Sequence, residues 1–368
     1  VQPVILGLEH GVTFAGSDED AFNLNAPVAG QVKDAQVKGS PVVLRSLLGY
    51  VAASRAALGG QKAFMDATKF LVANMLRSMA KKLEIEMLYG QMGYATIAAQ
   101  GAGIDAVKIT ISTSEWAPGI WAGAEGMPIE IRDFTGSTSK GEFKVVSVDM
   151  DTRVLTLNAA PAGLAFGGPG VGDVIWHKGA YGNEFPGIHK ILSISAGTLF
   201  NIDVGTYNLF RGNVFSAGSA ALSFTKLNLA AARAVEKGLE GPLYAMVNPR
   251  AWANMLSDQA ALRRYDGSYS AGKMENGAEK LMFHSQNGMI EIEPSIYVKE
   301  GYAYLLSADD WFRVGSTDMT FKRPGQGEEF FRDLENSAAY ELRLYSDQAL
   351  FCMAPARNVL VKDIVNST

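Results

Sequence analysis

One uninterrupted run, Gln61 to Tyr89, constrains this chain more than any other segment. It contains no proline or glycine and is rich in Ala, Leu, Met, Lys and Glu. Phe64, Ala67, Leu71, Met75 and Met79 recur at steps of three and four residues. The pattern predicts a single helix about 40 Å long at 1.5 Å per residue. Lys62, Asp66, Lys69, Arg77, Lys81 and Glu84 are interspersed with the apolar stripe, so the helix is amphipathic and lies across another surface. Gly90 and Gly93 supply its stop.

The segments on either side differ in character. Upstream of the Gly59-Gly60 break, residues 26–39 mix Pro, Gly, Gln, Lys and Asp. Ser40-Pro41-Val42-Val43-Leu44-Arg45 then opens a β-prone apolar run. A two-stranded excursion buries too little surface to stand alone, so Val37 to Tyr50 needs another surface, and another copy of the chain would serve. Downstream, Val107–Ile111, Pro128–Ile131, Phe143–Val148 and Val154–Leu157 read as strands of a small barrel or sandwich, with a hairpin turn at Asp149–Thr152. Gly167–Gly172 is a loop feeding Asp173-Val174-Ile175-Trp176. Helices are expected at Lys226–Gly238 and from Asn248-Pro249 to Leu256, around a strand at Leu243–Val247. Tyr302–Leu306, Trp311–Val314, Ala339–Tyr345, Ala349–Met353 and Val359–Ile364 read as strands of one terminal sheet.

Motifs for chemistry are sparse. His10, His177, His189 and His284 are scattered, and one cysteine, Cys352, stands among apolar neighbours that favour burial. The acidic pairs Asp149/Asp151, Asp309/Asp310 and Glu328/Glu329 fall at turns and strand ends. Gly167–Gly172 lacks the Lys-Ser/Thr of a phosphate loop, and there is no nucleophile elbow. Arg263-Arg264 suit a helix end or an interface. The 368 residues carry 33 Lys+Arg against 38 Asp+Glu, a formal charge of −5 that argues against tight nucleic-acid binding. No apolar run approaches the roughly 18 residues of a membrane span, and no signal pattern opens the chain, which sets the expectation of a soluble, non-secreted protein. A detached arm, a long surface helix and a β-rich unit without an active site describe a chain that works by contacting copies of itself.

Several segments, in order, resemble the major capsid proteins of tailed bacteriophages with the Hong Kong 97-type Johnson fold. They are Val37-Lys38-Gly39-Ser40 through Leu44-Arg45 to Ser54-Arg55-Ala56, and Ala63-Phe64 through Leu88-Tyr89-Gly90-Gln91. Trp116-Ala117-Pro118-Gly119-Ile120-Trp121, Gly172-Asp173-Val174-Ile175 with Gly179-Ala180-Tyr181-Gly182, and Val247-Asn248-Pro249-Arg250 follow. Ala339-Tyr340-Glu341-Leu342-Arg343-Leu344-Tyr345 through Ala354-Pro355-Ala356-Arg357 completes the set. The resemblance implies an α+β fold: an N-terminal arm and extended loop over 1–58, and a peripheral domain with its spine helix over 59–111. A β-rich insertion domain over 112–184, a connecting segment over 185–225, an axial domain over 226–315 and a return to the peripheral domain over 316–368 follow.

The same resemblance implies a structural protein rather than an enzyme, without cofactor or metal, forming pentamers and hexamers of an icosahedral virion shell around double-stranded DNA. Its partners would be other copies, a scaffold, a portal and a decoration protein. Contact with the packaged DNA would be weak and non-specific, no membrane would be involved, and assembly would take place in the host bacterial cytoplasm. Lys33, Lys38, Val42, Leu44, Arg45, Arg263 and Arg264 are the candidate inter-subunit contacts. Some members of the family cross-link a loop lysine to a peripheral asparagine; Lys33 or Lys38 with Asn358 fall in comparable regions, although a solvated lysine is the default. Two alternatives remain open. One is an encapsulin-type compartment shell. The other is a ligand-binding protein with a pocket lined by Trp116, Trp121, Trp176 and Tyr181, aromatics that otherwise fill a core or interface.

Overall fold

The computed structural model describes residues 1–17, 22–49, 61–256, 281–286, 288–322, 331–334 and 337–366. Strands β1 (Gln2–Gly7) and β2 (Gln31–Ala35) form an antiparallel ribbon in which Val4 faces Lys33. Val4, Leu6 and Ala35 anchor its base on a cluster with Leu199, Ile202, Phe210 and Phe351. Strand β3 (Ser40–Gly49) follows, and then helix α1 (Gln61–Tyr89), whose bounds match the sequence expectation. The helix stops where predicted. The Gly90 amide bonds the Glu86 carbonyl at 2.7 Å, and Gln91 and Gly93 take φ of 66° and 77°. A Cβ on Gly90 would lie 2.7 Å from the Glu86 carbonyl and closer still to that of Phe185.

The chain passes directly into a closed barrel of β4 (Ala95–Gln100), β5 (Lys108–Ile111), β6 (Pro128–Arg132), β7 (Ser139–Asp149), β8 (Val154–Leu157) and β9 (Val174–His177), ordered β4-β5-β8-β7-β6-β9. The short helix α2 (Pro118–Trp121) lies between β5 and β6. Alternation along each strand sends Ile97, Ile109, Ile111, Ile129, Ile131, Val145, Leu155 and Ile175 into the barrel core. The hairpin turn at 149–152 forms as expected, with Asp149 Oδ1 accepting the amide of Asp151 at 3.0 Å. The barrel begins at Ala95, however, and not at 112. Strand β5 is the expected Val107–Ile111 strand, whereas β4 carries little strand signal, because Ala-Thr-Ile-Ala-Ala-Gln offers only two β-branched residues.

Helix α3 (Ile188–Ser193) and the small hairpin β10 (Thr198–Leu199) and β11 (Ile202–Asp203) lead to a six-stranded sheet. It is built from β12 (Asn213–Ala220), β13 (Leu243–Val247), β14 (Leu281–Ser285), β15 (Gly288–Pro294), β16 (Ala303–Leu306) and the last strand of the chain. Helices α4 (Phe224–Val235), capped by Ser223, and α5 (Pro249–Leu256) pack on it, with Ala230, Ala231, Ala234, Ala251 and Met255 in the core. The second sheet contains β17 (Trp311–Thr320), β18 (Arg332–Leu334) and the 16-residue β19 (Ser337–Cys352). The last strand, β20 (Val359–Ile364), inserts between β12 and β16, giving the order β12-β20-β16-β13-β15-β14.

The terminal strands therefore divide between two sheets rather than forming the one sheet expected from the sequence. Segment 316–368 does not return as a unit, and β12 leaves the 185–225 connector for the central sheet. Val359-Leu360-Val361, buried throughout, is the mark of a strand covered on both faces. The surface that β3 needs also lies on its own chain. It pairs antiparallel with β19 from Ser40↔Gln348 to Gly49↔Ala339, and its inward residues pack with Leu342 and Leu344 on Met75, Met79 and Leu83 of α1.

Candidate assembly surface and the cleft beneath it

Among the described residues no group of three His, Cys, Asp or Glu side chains could hold a metal. His10 is exposed, and His189 is buried, with its Nδ1 3.0 Å from the Tyr304 hydroxyl. Cys352 is buried, and burial followed by the nearby Asp310 pushes its thiol well up. Of the acidic pairs, Asp149/Asp151 shapes a turn, Asp310 is buried beside Arg357 at 3.7 Å, and Glu328/Glu329 lie outside the described residues. Trp116 and Trp121 stack at 6.2 Å inside the core, while Trp176 meets Tyr181 edge-on at 5.2 Å. The four aromatics thus form two separate pairs, and none of them lines either of the clefts described below.

The alternation of β3 sorts the candidate contacts. Val42 and Leu44 turn inward onto α1, so within this chain they hold the strand down rather than face outward. Pro41, Val43, Arg45 and Leu47 turn outward; Val43 and Leu47 were missed in the sequence reading, although period-two alternation from the buried Ser40 points to them. Arg45 donates from Nε to Glu341, whose carboxylate Arg343 also grips at 2.8 and 3.0 Å. Hydrogen bonds from Arg343 and then Arg45 draw the Glu341 carboxyl down to about 2. One carboxylate is thus held between two guanidiniums, with Asp347 further along the same face opposite Pro41.

Lys33 and Lys38 are exposed, on β2 and in the crossing to β3. Arg263 and Arg264 lie outside the described residues. Beyond its anchored base, the N-terminal ribbon continues through His10 N to Val28 O at 3.2 Å and Asn25 N to Thr13 Oγ1 at 2.8 Å. It carries Leu8, Val12, Phe14, Phe22 and Leu24 in the open, with Phe14 91% exposed. Apolar side chains gathered on a projecting ribbon mark an interaction surface.

Asn358 takes no part in that surface. It is fully buried: Oδ1 accepts from Ser307 N at 2.8 Å and Trp311 Nε1 at 2.9 Å, and Nδ2 donates to Ala354 O at 3.0 Å. The cross-link to Lys33 or Lys38 therefore has no accessible amide at this position. A second buried hub joins helix, barrel and central sheet. Lys299 Nζ lies 2.5 Å from Glu115 Oε2 and 4.3 Å from the centre of the Tyr89 ring, and Tyr302 donates to Glu115 Oε1 at 2.7 Å. Burial pushes the Glu115 carboxyl up, and the Lys299 ammonium more than reverses it, holding it below the usual range.

Under β3 lies a cleft of about 380 Å³, walled by Val42, Leu44, Met79 and Tyr94, with Lys82, Glu86, His177 and Glu184 among its lining. Ser40 closes one end, donating its hydroxyl to the Asn183 carbonyl. Burial and then Glu184 raise Glu86 to about 8, and burial raises Glu184 to about 7. Burial and then Lys81 lower Lys82 to about 8; burial and then Lys82 lower His177 to about 4. Across the Ser40 tether, a second opening of about 500 Å³ is lined by Gln36, Lys38, Gln91, Asn183 and Asn201. Lysine 82 and Glu86 could have been read as a pair from their helical spacing, but only the fold brings His177 and Glu184 to them.

No family model matches the sequence, and no curated protein matches it. Solved structures do. Over 99% of this chain and 87% of the other, the fold matches the capsid asymmetric unit of cyanophage A-1(L), with a TM-score of 0.53 at 11% identity. The capsid structure of cyanophage P-SCSP1u aligns over 99% of this chain and 83% of the other, with a TM-score of 0.48 at 9% identity. The SrpI encapsulin of Synechococcus elongatus PCC 7942 aligns over 49% of this chain and 62% of its own, with a TM-score of 0.29 at 13% identity. The chain has the Hong Kong 97-type capsid fold, in the α+β class.

Proposed function

We propose that this chain is the major capsid protein of a tailed bacteriophage. Copies assemble as pentamers and hexamers into the icosahedral shell of the virion, around double-stranded DNA. The observation that carries the reading is the match to a phage capsid subunit along nearly the whole chain. An exposed apolar ribbon and a charged strand face beside it are what a self-associating subunit requires. A formal charge of −5 suits a wall that contains DNA without gripping it, because a strongly basic wall would bind the phosphate backbone tightly through counterion release. The role is structural rather than catalytic. Scaffold, portal and decoration proteins would be further partners, with assembly in the host cytoplasm. Light scattering of particles purified from infected cells, with their ultraviolet absorbance ratio, tests this. Particles of megadalton mass that contain nucleic acid are expected in infected cells; particles filled with protein cargo would turn the reading to a compartment shell.

A further inference from the structure

The cleft beneath β3 holds ionisable side chains that are not closed into ion pairs. Glu86 is 7% exposed, and its Oε1 accepts the Phe185 amide at 3.3 Å. Its other oxygen has no donor among the described residues. Glu184 Oε2 accepts only the Gln91 amide, at 3.1 Å. The one ammonium on the floor, that of Lys82, points to the Met127 sulfur at 3.2 Å and the Tyr94 ring at 5.5 Å, and pairs with neither acid.

The surrounding elements supply no missing cation. Lys81 is occupied by the Ala122 carbonyl at 2.5 Å, and Lys178, on the rim, pairs with Glu142 at 2.5 Å. His177 is neutral around pH 7, since burial lowers its imidazole to about 4. Strand β3 contributes only uncharged side chains, because Arg45 faces the other way. Two acids therefore share a concave site with one ammonium, and one Glu86 carboxylate oxygen faces the cleft with no protein donor among the described residues. Apolar groups from β3 and α1 line the approach. That combination suits a cation carried on an aliphatic stem.

We propose that this cleft receives a lysine or arginine side chain from a second copy of the chain, its head group against Glu86 and Glu184 and its stem along Val42, Leu44 and Met79. Charge complementarity names the occupant: Lys33, Lys38 and Arg77 are exposed and have no carboxylate partner among the described residues. Seating the cation ionises both acids and so ties each subunit to the neighbour that supplies it. The inference rests on the shell reading above.

A cryo-EM reconstruction of assembled particles tests it. The expected result is a lysine or arginine nitrogen of an adjacent copy within about 4 Å of a Glu86 or Glu184 oxygen. Closed particles whose clefts hold only solvent or the same chain would overturn the inference and leave the shell reading intact. No particles under any condition would remove both. The E86Q/E184Q variant keeps side-chain shape and removes the charge. It should raise the subunit concentration for half-assembly on the order of tenfold and weaken its salt dependence. An unchanged midpoint and salt slope, with unchanged circular dichroism, would also overturn the proposal.

Discussion

Replacing Glu115 by alanine strands a buried ammonium. Lys299 and Glu115 have side chains only 3% and 7% exposed and are 2.5 Å apart. Without the carboxylate, Lys299 Nζ keeps the Gly93 carbonyl at 3.4 Å and the face of the Tyr89 ring, neither of which neutralises it. Breaking one side of a buried pair costs about 3–5 kcal/mol. The Tyr302 hydroxyl also loses its acceptor, adding about 1 kcal/mol or more. Lys299→Met, which leaves the carboxylate orphaned, should cost a similar amount. The double variant Glu115→Leu/Lys299→Met removes both charges and should recover at least about 2 kcal/mol relative to the sum of the singles. Urea unfolding of dissociated subunits, followed by tryptophan fluorescence, measures this directly, because Trp116 adjoins Glu115 and stacks on Trp121. Single variants below about 1 kcal/mol that add without coupling would refute the claim that this pair holds barrel, helix and sheet together.

Further outcomes follow from the same geometry. Gly90→Ala places a methyl group against the Glu86 and Phe185 carbonyls and should cost about 1–3 kcal/mol in thermal or urea unfolding. Asn358→Leu should cost about 2 kcal/mol or more by leaving the Ser307 amide and the Trp311 indole without an acceptor; denaturing electrophoresis of particles should show monomer bands only, since the buried amide is closed to lysine. Stability of the dissociated subunit should fall between about pH 6.5 and 8. There the folded chain holds protons on Glu86 and Glu184, raised to about 8 and about 7, that the unfolded chain has released. Below that window His177 and His189, both lowered to about 4, bind fewer protons folded than unfolded and oppose the trend; above it Lys82, lowered to about 8, reverses it. The E86Q/E184Q variant should flatten the fall, which a urea midpoint measured at each pH will detect.

Local chemistry made part of this fold legible. Helix α1 could be read to the residue because straight-chain side chains, an apolar stripe and a glycine stop coincide within one segment. The barrel was legible as a class, since β-branched runs alternate between turns, but β4 escaped because alanines mask a strand that the closed barrel stabilises. Pairing of β3 with β19 was not legible, because its partner lies almost at the other end of the chain and any apolar edge would have satisfied the pattern. The buried hub was invisible for the same reason: Glu115 and Lys299 are 184 positions apart and each alone looks like a surface charge. Lys82 and Glu86, one helical turn apart, look like a solvated pair on a helix face. Only when β9 and the residues after it close over α1 do those charges become the floor of a cleft.

As proposed above, many copies of this one chain build a closed shell. Negative-stain electron microscopy of the purified protein tests it most directly. Closed icosahedral particles of uniform diameter are expected. A monodisperse monomer or dimer at every salt and protein concentration would contradict it.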